Sequence, residues 1–253
     1  MGRVEGKVLI VTGGATGIGR GISEVLAREG ARVVIGNRNE ERGREAETAI
    51  RESGGDVLFV RADVTREEDC RELVAAAVSA YGGLDGLVNN AGIFPRAHLE
   101  ETTSELWDKI FAVNLKGVFF CCKHAVPEMR RRGGGCIVNI GSANAYVGLP
   151  ELFAYSTSKG GLITLTRNLA NALAKDRIRV NFVNPGWVIT EMEIEVQGKQ
   201  GHDDAWLEEA GRNMPLGRHQ VPEDAAYAVL YLVSDEATQV NGDVLNVDGR
   251  GLR

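Results

Sequence analysis

Along most of the chain, short apolar and β-branched runs alternate with segments of helical periodicity, and this alternation restricts the fold more than any other feature. The runs are VLIVTG (8–13), RVVIG (32–36), DVLFVRAD (56–63), LDGLVNNAG (84–92), CIVNIGS (136–142), IRVNFVNPG (178–186) and DVLNVDG (243–249). Strands this apolar are normally covered on both faces. Between them, helices are expected at 18–29, 40–53, 66–81, 105–131, 155–175 and 222–234, the last opened by Pro222 with Glu223 and Asp224 in its first turn. Repeated β-then-α order implies right-handed crossovers, hence one α/β domain over 1–253 with a doubly wound, seven-stranded parallel sheet flanked by helices. Residues 191–215 break the rhythm as a polar insertion after a Pro-Gly turn, and a segment of that length between strand and helix is expected to form a lid over a site.

With 253 residues the chain can bury a large core without staples. Cys70, Cys121, Cys122 and Cys136 lack paired C-x-x-C spacing and sit in or beside apolar or helical segments, which points to reduced structural thiols, no metal site and a cytoplasmic setting. No run approaches the 18 apolar residues of a membrane span, and the N-terminal run enters a glycine turn rather than a cleavage site, so a soluble protein is expected. A formal charge of −6 argues against a nucleic-acid partner, and Arg130–Arg132 read as cations complementing a helix C-terminus.

In such sheets ligands bind beyond the carboxyl ends of the strands. The first strand ends in Thr12-Gly13-Gly14-Ala15-Thr16-Gly17-Ile18-Gly19. Glycines at 13, 17 and 19 allow a tight turn, close approach to a pyrophosphate, and a helix whose free N–H groups face the anion. Tyr155 and Lys159 are four apart on one expected helix face, where an ammonium could lower a phenol from about 10 toward neutrality and make it an acid or base. Ser142 closes another strand at the same sheet edge and could hydrogen-bond a developing alkoxide. Asn114 is a poor helix former with apolar neighbours, which suggests an internal polar role.

Together these positions resemble the classical short-chain dehydrogenase/reductase family over nearly the whole chain, which implies a Rossmann fold and an enzyme. The turn with Thr12 looks like the family's cofactor motif, Asp63-Val64 like its adenine contact, and Asn89-Asn90-Ala91-Gly92 like the turn after its fourth strand. Asn114, Ser142, Tyr155 and Lys159 match the catalytic tetrad in order and spacing, and Pro185-Gly186, with Val188 and Thr190 following, resembles the nicotinamide-side loop. The resemblance implies hydride exchange between a nicotinamide and a CH–OH carbon, with Tyr155 moving the proton, Ser142 holding the oxygen, Lys159 binding ribose hydroxyls, and Asn114 anchoring a relay water. A homo-oligomer, dimer or tetramer, is also implied, and helix 155–175 carries leucines and alanines on more than one face.

Asn37 stands where a carboxylate would select NAD, and Arg38 beside it offers a fork for phosphate, so NADP is preferred over NAD, with dual use open. Arg96, Asn144 and Trp187 are candidate substrate contacts. Their polarity favours a small hydroxylated substrate such as a sugar or polyol, while Glu191, Glu193 and Glu195 read as solvated charge. Two other readings stand beside this one: a 3-oxoacyl-(acyl-carrier-protein) reductase docking an acidic carrier on Arg130–Arg132, Lys175 and Arg177, and a non-catalytic dinucleotide sensor. Arg250 falls where relatives often have a second glycine.

Overall fold

A computed structural model describes residues 2–249, and Arg250 lies outside them. In chain order the elements are β1 (Val8–Thr12), α1 (Gly17–Arg28), β2 (Arg32–Asn37), α2 (Glu40–Glu52), β3 (Asp56–Arg61), α3 (Glu67–Tyr81) and β4 (Gly86–Asn89). Then come α4 (Ser104–Phe111), α5 (Gly117–Arg132), β5 (Gly135–Ile140), α6 (Asn144–Val147), α7 (Phe153–Leu173) and β6 (Ile178–Pro185). The chain continues through α8 (Glu191–Lys199), α9 (Asp204–Arg212), α10 (Pro222–Val233) and β7 (Val244–Val247). Among the described residues the strands form one sheet in the order β3-β2-β1-β4-β5-β6-β7, with every neighbouring pair parallel.

The alternation within each strand builds two cores. Leu9 and Val11 of β1 point to the face covered by α1, α2 and α10, where Ile22, Leu26, Ile50, Val229 and Leu230 pack. Val8 and Ile10 point to the opposite face, against Leu73 of α3, Met129 of α5 and Leu162 of α7. Each fully buried aliphatic side chain contributes roughly 1.5–3 kcal/mol relative to exposure, so β1, buried along its whole length, anchors both layers. The strand order reverses between β1 and β4, which opens a crevice at their carboxyl ends.

Two stretches depart from the expected pattern. The helix read over 105–131 is interrupted: α4 and α5 are joined by a π-helical turn, Ala112–Lys116, that carries Asn114. Apolar spacing alone does not report such a turn, because the extra residue is accommodated without breaking the run. The 191–215 segment is not irregular but holds α8, capped by Thr190 Oγ accepting from the Glu193 N–H at 3.2 Å, and α9, capped by Asp203 accepting from the Trp206 N–H at 2.9 Å. The four cysteines are buried and free, with Cys121 and Cys70 sulfurs 3.5 Å apart. No helix among the described residues is long and apolar enough to cross a membrane.

Candidate active site

The crevice is a cleft of about 480 Å³ floored by the glycine turn and closed at its far end by Tyr155 and Lys159. Gly13 and Gly17 adopt left-handed φ values of 63° and 53°. A Cβ on Gly13 would sit 3.0 Å from the Ala91 backbone, and one on Gly19 only 2.2 Å from the Gly13 carbonyl oxygen, so the turn tolerates no side chain at either place. Thr16 precedes α1 without a side-chain cap, which leaves first-turn N–H groups with no side-chain acceptor at the floor of the cleft. A turn this close to the cleft wall, ending at an uncapped helix start, fits a pyrophosphate. Asn90 braces it: its Nδ2 donates to the Thr12 and Gly13 carbonyls at 3.0 and 3.2 Å, and its N–H and that of Ala91 donate to Thr12 Oγ1 at 3.0 and 3.1 Å.

At the β2 end, Asn37, Arg38, Asp63 and Val64 line the cleft as expected, joined by Arg42 from the first turn of α2, which the sequence reading missed. Asn37 Nδ2 donates to the Asn39 carbonyl at 3.1 Å, and Asn39 accepts from the Arg42 N–H at 3.0 Å, so the two asparagines shape the loop that carries Arg38. Burial works against ionisation of Asp63, but hydrogen bonds from Thr65 and the charges of Arg38 and Arg66 outweigh it and hold the carboxyl below its usual range.

At the other end, β5 delivers Ser142 and α7 delivers Tyr155 and Lys159. Lys159 is buried, donates from Nζ to the Ile140 carbonyl at 2.8 Å, and is pushed down to about 8 by desolvation. Its nitrogen lies 5.8 Å from the Tyr155 ring centroid. The Tyr155 phenol stands above its ordinary value, the reverse of the lowering expected from Lys159: burial is the main cause, the Glu193 charge adds to it, and hydrogen bonding with Ser142 opposes it. Asn114 is fully buried beside them. Its Oδ1 accepts from the Ile93 N–H at 2.9 Å, and its Nδ2 donates to the Ile93 carbonyl and to Ser158 Oγ at 2.9 and 3.1 Å. With both amide hydrogens engaged, a relay water would have to donate, either to the second lone pair of Oδ1 or to the Asn114 backbone carbonyl.

Behind the site runs a buried amide chain that sequence reading did not single out. Asn89 Nδ2 donates to Asn139 Oδ1, and Asn139 Nδ2 donates to Thr166 Oγ1, both at 2.9 Å, pinning β4, β5 and α7 together. The signal was an asparagine within each of two apolar runs.

Thr190, Ile18, Ala91 and Gly92 also line the cleft, whereas Gly19, Ser142, Pro185, Gly186 and Val188 are not among the residues that line it. The Gly186 N–H donates to Gln220 at 2.7 Å, and Val188 pairs with Gln220 in a short bridge. Asn144 starts α6, its N–H donating to Ser142 Oγ at 3.2 Å, and is not a cleft-lining residue. Arg96 lines an adjoining polar hollow of about 400 Å³ with Glu151 and Gln200. Trp187 faces inward, its Nε1 donating to Glu193 at 2.9 Å. Glu193, read from sequence as solvated, is only 8% exposed because α8 turns it under the segment, against Trp187 and Gln197.

Residues 13–251 match the family model described as enoyl-(acyl carrier protein) reductase. The chain is 42% identical over 249 residues to a cyclopentanol dehydrogenase of Comamonas testosteroni, covering 98% of each. It is 38% identical over 252 residues to a 3-oxoacyl-(acyl-carrier-protein) reductase of Thermotoga maritima, again covering 98% of each. A crystal structure of a protein assigned as a short-chain alcohol dehydrogenase, from Sinorhizobium meliloti 1021, superposes with a TM-score of 0.89 at 36% identity, covering 97% of this chain and 96% of that one. With the parallel sheet, the glycine turn and the Ser-Tyr-Lys grouping in place, this protein belongs to the short-chain dehydrogenase/reductase family of oxidoreductases.

Proposed function

We propose that the chain interconverts a secondary alcohol and a carbonyl with NADP, or less readily NAD, using Tyr155 as general acid and base. The observation that carries this is that Tyr155 and Lys159 line one cleft with the glycine turn, and that Ser142 is hydrogen-bonded to Tyr155. A nicotinamide dinucleotide held there supplies or takes up the hydride. Gly13, Gly17 and the start of α1 would receive its pyrophosphate, Asp63 and Val64 its adenine end, and Asn90 to Gly92 with Thr190 its nicotinamide half. Tyr155, whose raised affinity for its proton keeps it protonated at neutral pH, donates to the carbonyl oxygen during reduction and takes the proton back during oxidation. Ser142 orients that oxygen. Lys159, buried and cationic at neutral pH, binds ribose hydroxyls and stabilises the phenolate form of Tyr155 when it arises. Asn114 holds Ile93 and with it the loop after β4, whose Gly92 lies beside Lys159.

Arg38 and Arg42 favour a 2′-phosphate, and Asn37 offers no carboxylate to repel it. Residues 191–215 act as the lid: Arg42 reaches Glu191 at 3.9 Å across the cleft mouth. A small hydroxylated substrate fits the polar surroundings better than an acyl carrier, since Arg130, Arg131 and Arg132 are each ion-paired within the chain, to Asp176, Glu128 and Asp85. A sensor without chemistry has no use for Tyr155 and Lys159 together with Ser142 and Asn114. Phe119 and Phe153, 49% and 42% exposed, suit a homo-oligomer built on α5 and α7, and a cytoplasmic location suits the free thiols.

The test is absorbance at 340 nm with purified protein, NAD and NADP separately, against aldoses, polyols, secondary alcohols, steroids and, in reverse, acetoacetyl-CoA. Turnover of an alcohol or sugar that disappears in Tyr155→Phe, with cofactor still bound, supports the reading. Retained turnover in that variant overturns it, and turnover of the thioester alone moves the protein to acyl reduction.

A further inference from the structure

We propose that Glu193 and Arg96 form a paired acceptor and donor that grips a second hydroxyl beside the carbinol handled by Tyr155, so that the site selects vicinal diols. This rests on the Tyr155 chemistry proposed above. Glu193 is a buried carboxylate, and its Oε1 is over-determined: Trp187 Nε1 and Gln197 Nε2 donate to it at 2.9 and 2.7 Å, with an Arg96 guanidinium nitrogen at 3.7 Å. Gln197 is itself fixed, its Oε1 lying 2.7 Å from His202 Nδ1, and His202 stacks on Trp206 with centroids 3.6 Å apart. A carboxylate held this firmly by one oxygen keeps the other, Oε2, without a hydrogen bond among the described residues. Carboxylate oxygens accept and never donate when ionised, so the complementary group on a ligand is a hydroxyl or ammonium hydrogen.

Arg96 supplies the other half. Its Nη1 donates to Glu151 at 3.3 Å, whereas its buried Nε–H has no acceptor among the described residues. An unmet donor of this kind is costly and is relieved by an incoming oxygen. One hydroxyl can satisfy both sides, donating to Glu193 while accepting from Arg96. Arg96 lines the hollow that adjoins the cleft, and the link to the reacting centre runs through Glu193, whose charge acts on Tyr155, and through close neighbours: Phe94, two residues before Arg96, packs edge-on against Tyr155 at 6.1 Å, and Met192 and Glu195 on either side of Glu193 line the same cleft as Tyr155. With two carboxylates around one guanidinium the grouping is net negative, which disfavours phosphate, carboxylate and coenzyme A esters.

The experiment compares kcat/KM for matched pairs, trans-1,2-cyclohexanediol with cyclohexanol and 2,3-butanediol with 2-butanol, using the full chain and saturating cofactor. The wild type is expected to favour each diol by about tenfold or more, the size expected for one charge-assisted hydrogen bond. Glu193→Leu and Arg96→Met should each bring that ratio close to one. Glu193→Gln keeps the acceptor for Trp187 and Gln197 but turns an N–H toward the ligand, so it should lower the ratio as well and serves if the leucine variant does not fold. Tryptophan fluorescence in a Tyr155→Phe background gives the same comparison as dissociation constants, free of any effect on the proton transfer. Turnover of both members of a pair at equal efficiency, or an unchanged ratio in the Glu193 variants, overturns the pairing while leaving the Tyr155 chemistry standing. Preference for a matched amino alcohol over the diol overturns it in favour of a cation site. Absence of turnover with every alcohol and ketone refutes the underlying reaction instead.

Discussion

Replacing Lys159 with methionine should make the protein more stable at neutral pH while removing turnover. Burial lowers this lysine from 10.5 to about 8, which at 1.36 kcal/mol per tenfold change is a penalty of about 3 kcal/mol for keeping the ammonium inside. Methionine has a similar length and carries no charge, but it gives up the 2.8 Å hydrogen bond to the Ile140 carbonyl, worth about 1 kcal/mol. The net gain is about 2 kcal/mol, or about 4 °C in Tm for a chain of this size. Its pH dependence is the sharper signature. The unfolded chain holds the Lys159 proton more tightly than the native one, so native stability climbs as pH rises from about 8 toward 10.5, and the penalty is at full size below about 8. Thermal and urea unfolding of both proteins should therefore show the variant ahead at pH 7 and the two nearly level at pH 10. A variant less stable at pH 7, or a gap that does not shrink between pH 7 and 10, would refute the argument that desolvation dominates this residue.

Gly19→Ala places a methyl 2.2 Å from the Gly13 carbonyl oxygen and should abolish dinucleotide binding, read by quenching of tryptophan fluorescence on titration. Arg38→Ala with Arg42→Ala removes both cations at the β2 end and should cut the ratio of NADP to NAD efficiency by about tenfold or more, with NAD kinetics as the control; an unchanged ratio places the discrimination elsewhere. Asn139→Leu removes two buried hydrogen bonds, leaving Asn89 Nδ2 only its 3.4 Å contact with Cys122 Sγ and Thr166 only its bond to the Leu162 carbonyl, and should cost about 2 kcal/mol in urea denaturation. A cost near zero would mean that water replaces the lost partners.

The architecture was legible because it depends on short-range pattern: the apolar runs map onto β1 to β7, and the glycine turn falls between β1 and α1 as its spacing requires. That Ser142, Tyr155 and Lys159 come close together was legible through motif order, and their catalytic part is the proposal above. What escaped depends on tertiary contacts. The π turn at Asn114 arises where its amide engages Ile93 and Ser158, residues remote in the chain, and it leaves no trace in the local periodicity. Glu193 sits in Glu-Met-Glu-Ile-Glu, a string with the composition of a solvated helix, and only packing against Trp187 shows which carboxylate is inside. The direction of the Tyr155 shift escapes for the same reason, since desolvation and the Glu193 charge outweigh the Ser142 hydrogen bond, and the Lys159 ammonium bonds the Ile140 carbonyl instead.

The amide chain from Asn89 through Asn139 to Thr166 ties three positions into one unit of inheritance. Asn89 gives, Asn139 gives and takes, and Thr166 takes, so a change at a single position leaves a stranded partner, whereas an apolar triplet installed at once leaves none. Drift at these sites should therefore proceed by joint replacement or stall. A library that randomises 89, 139 and 166 together has routes open to it that three separate libraries lack, and the triplets it returns would show how many packings can hold the Tyr155 helix in register with the strand that carries Ser142.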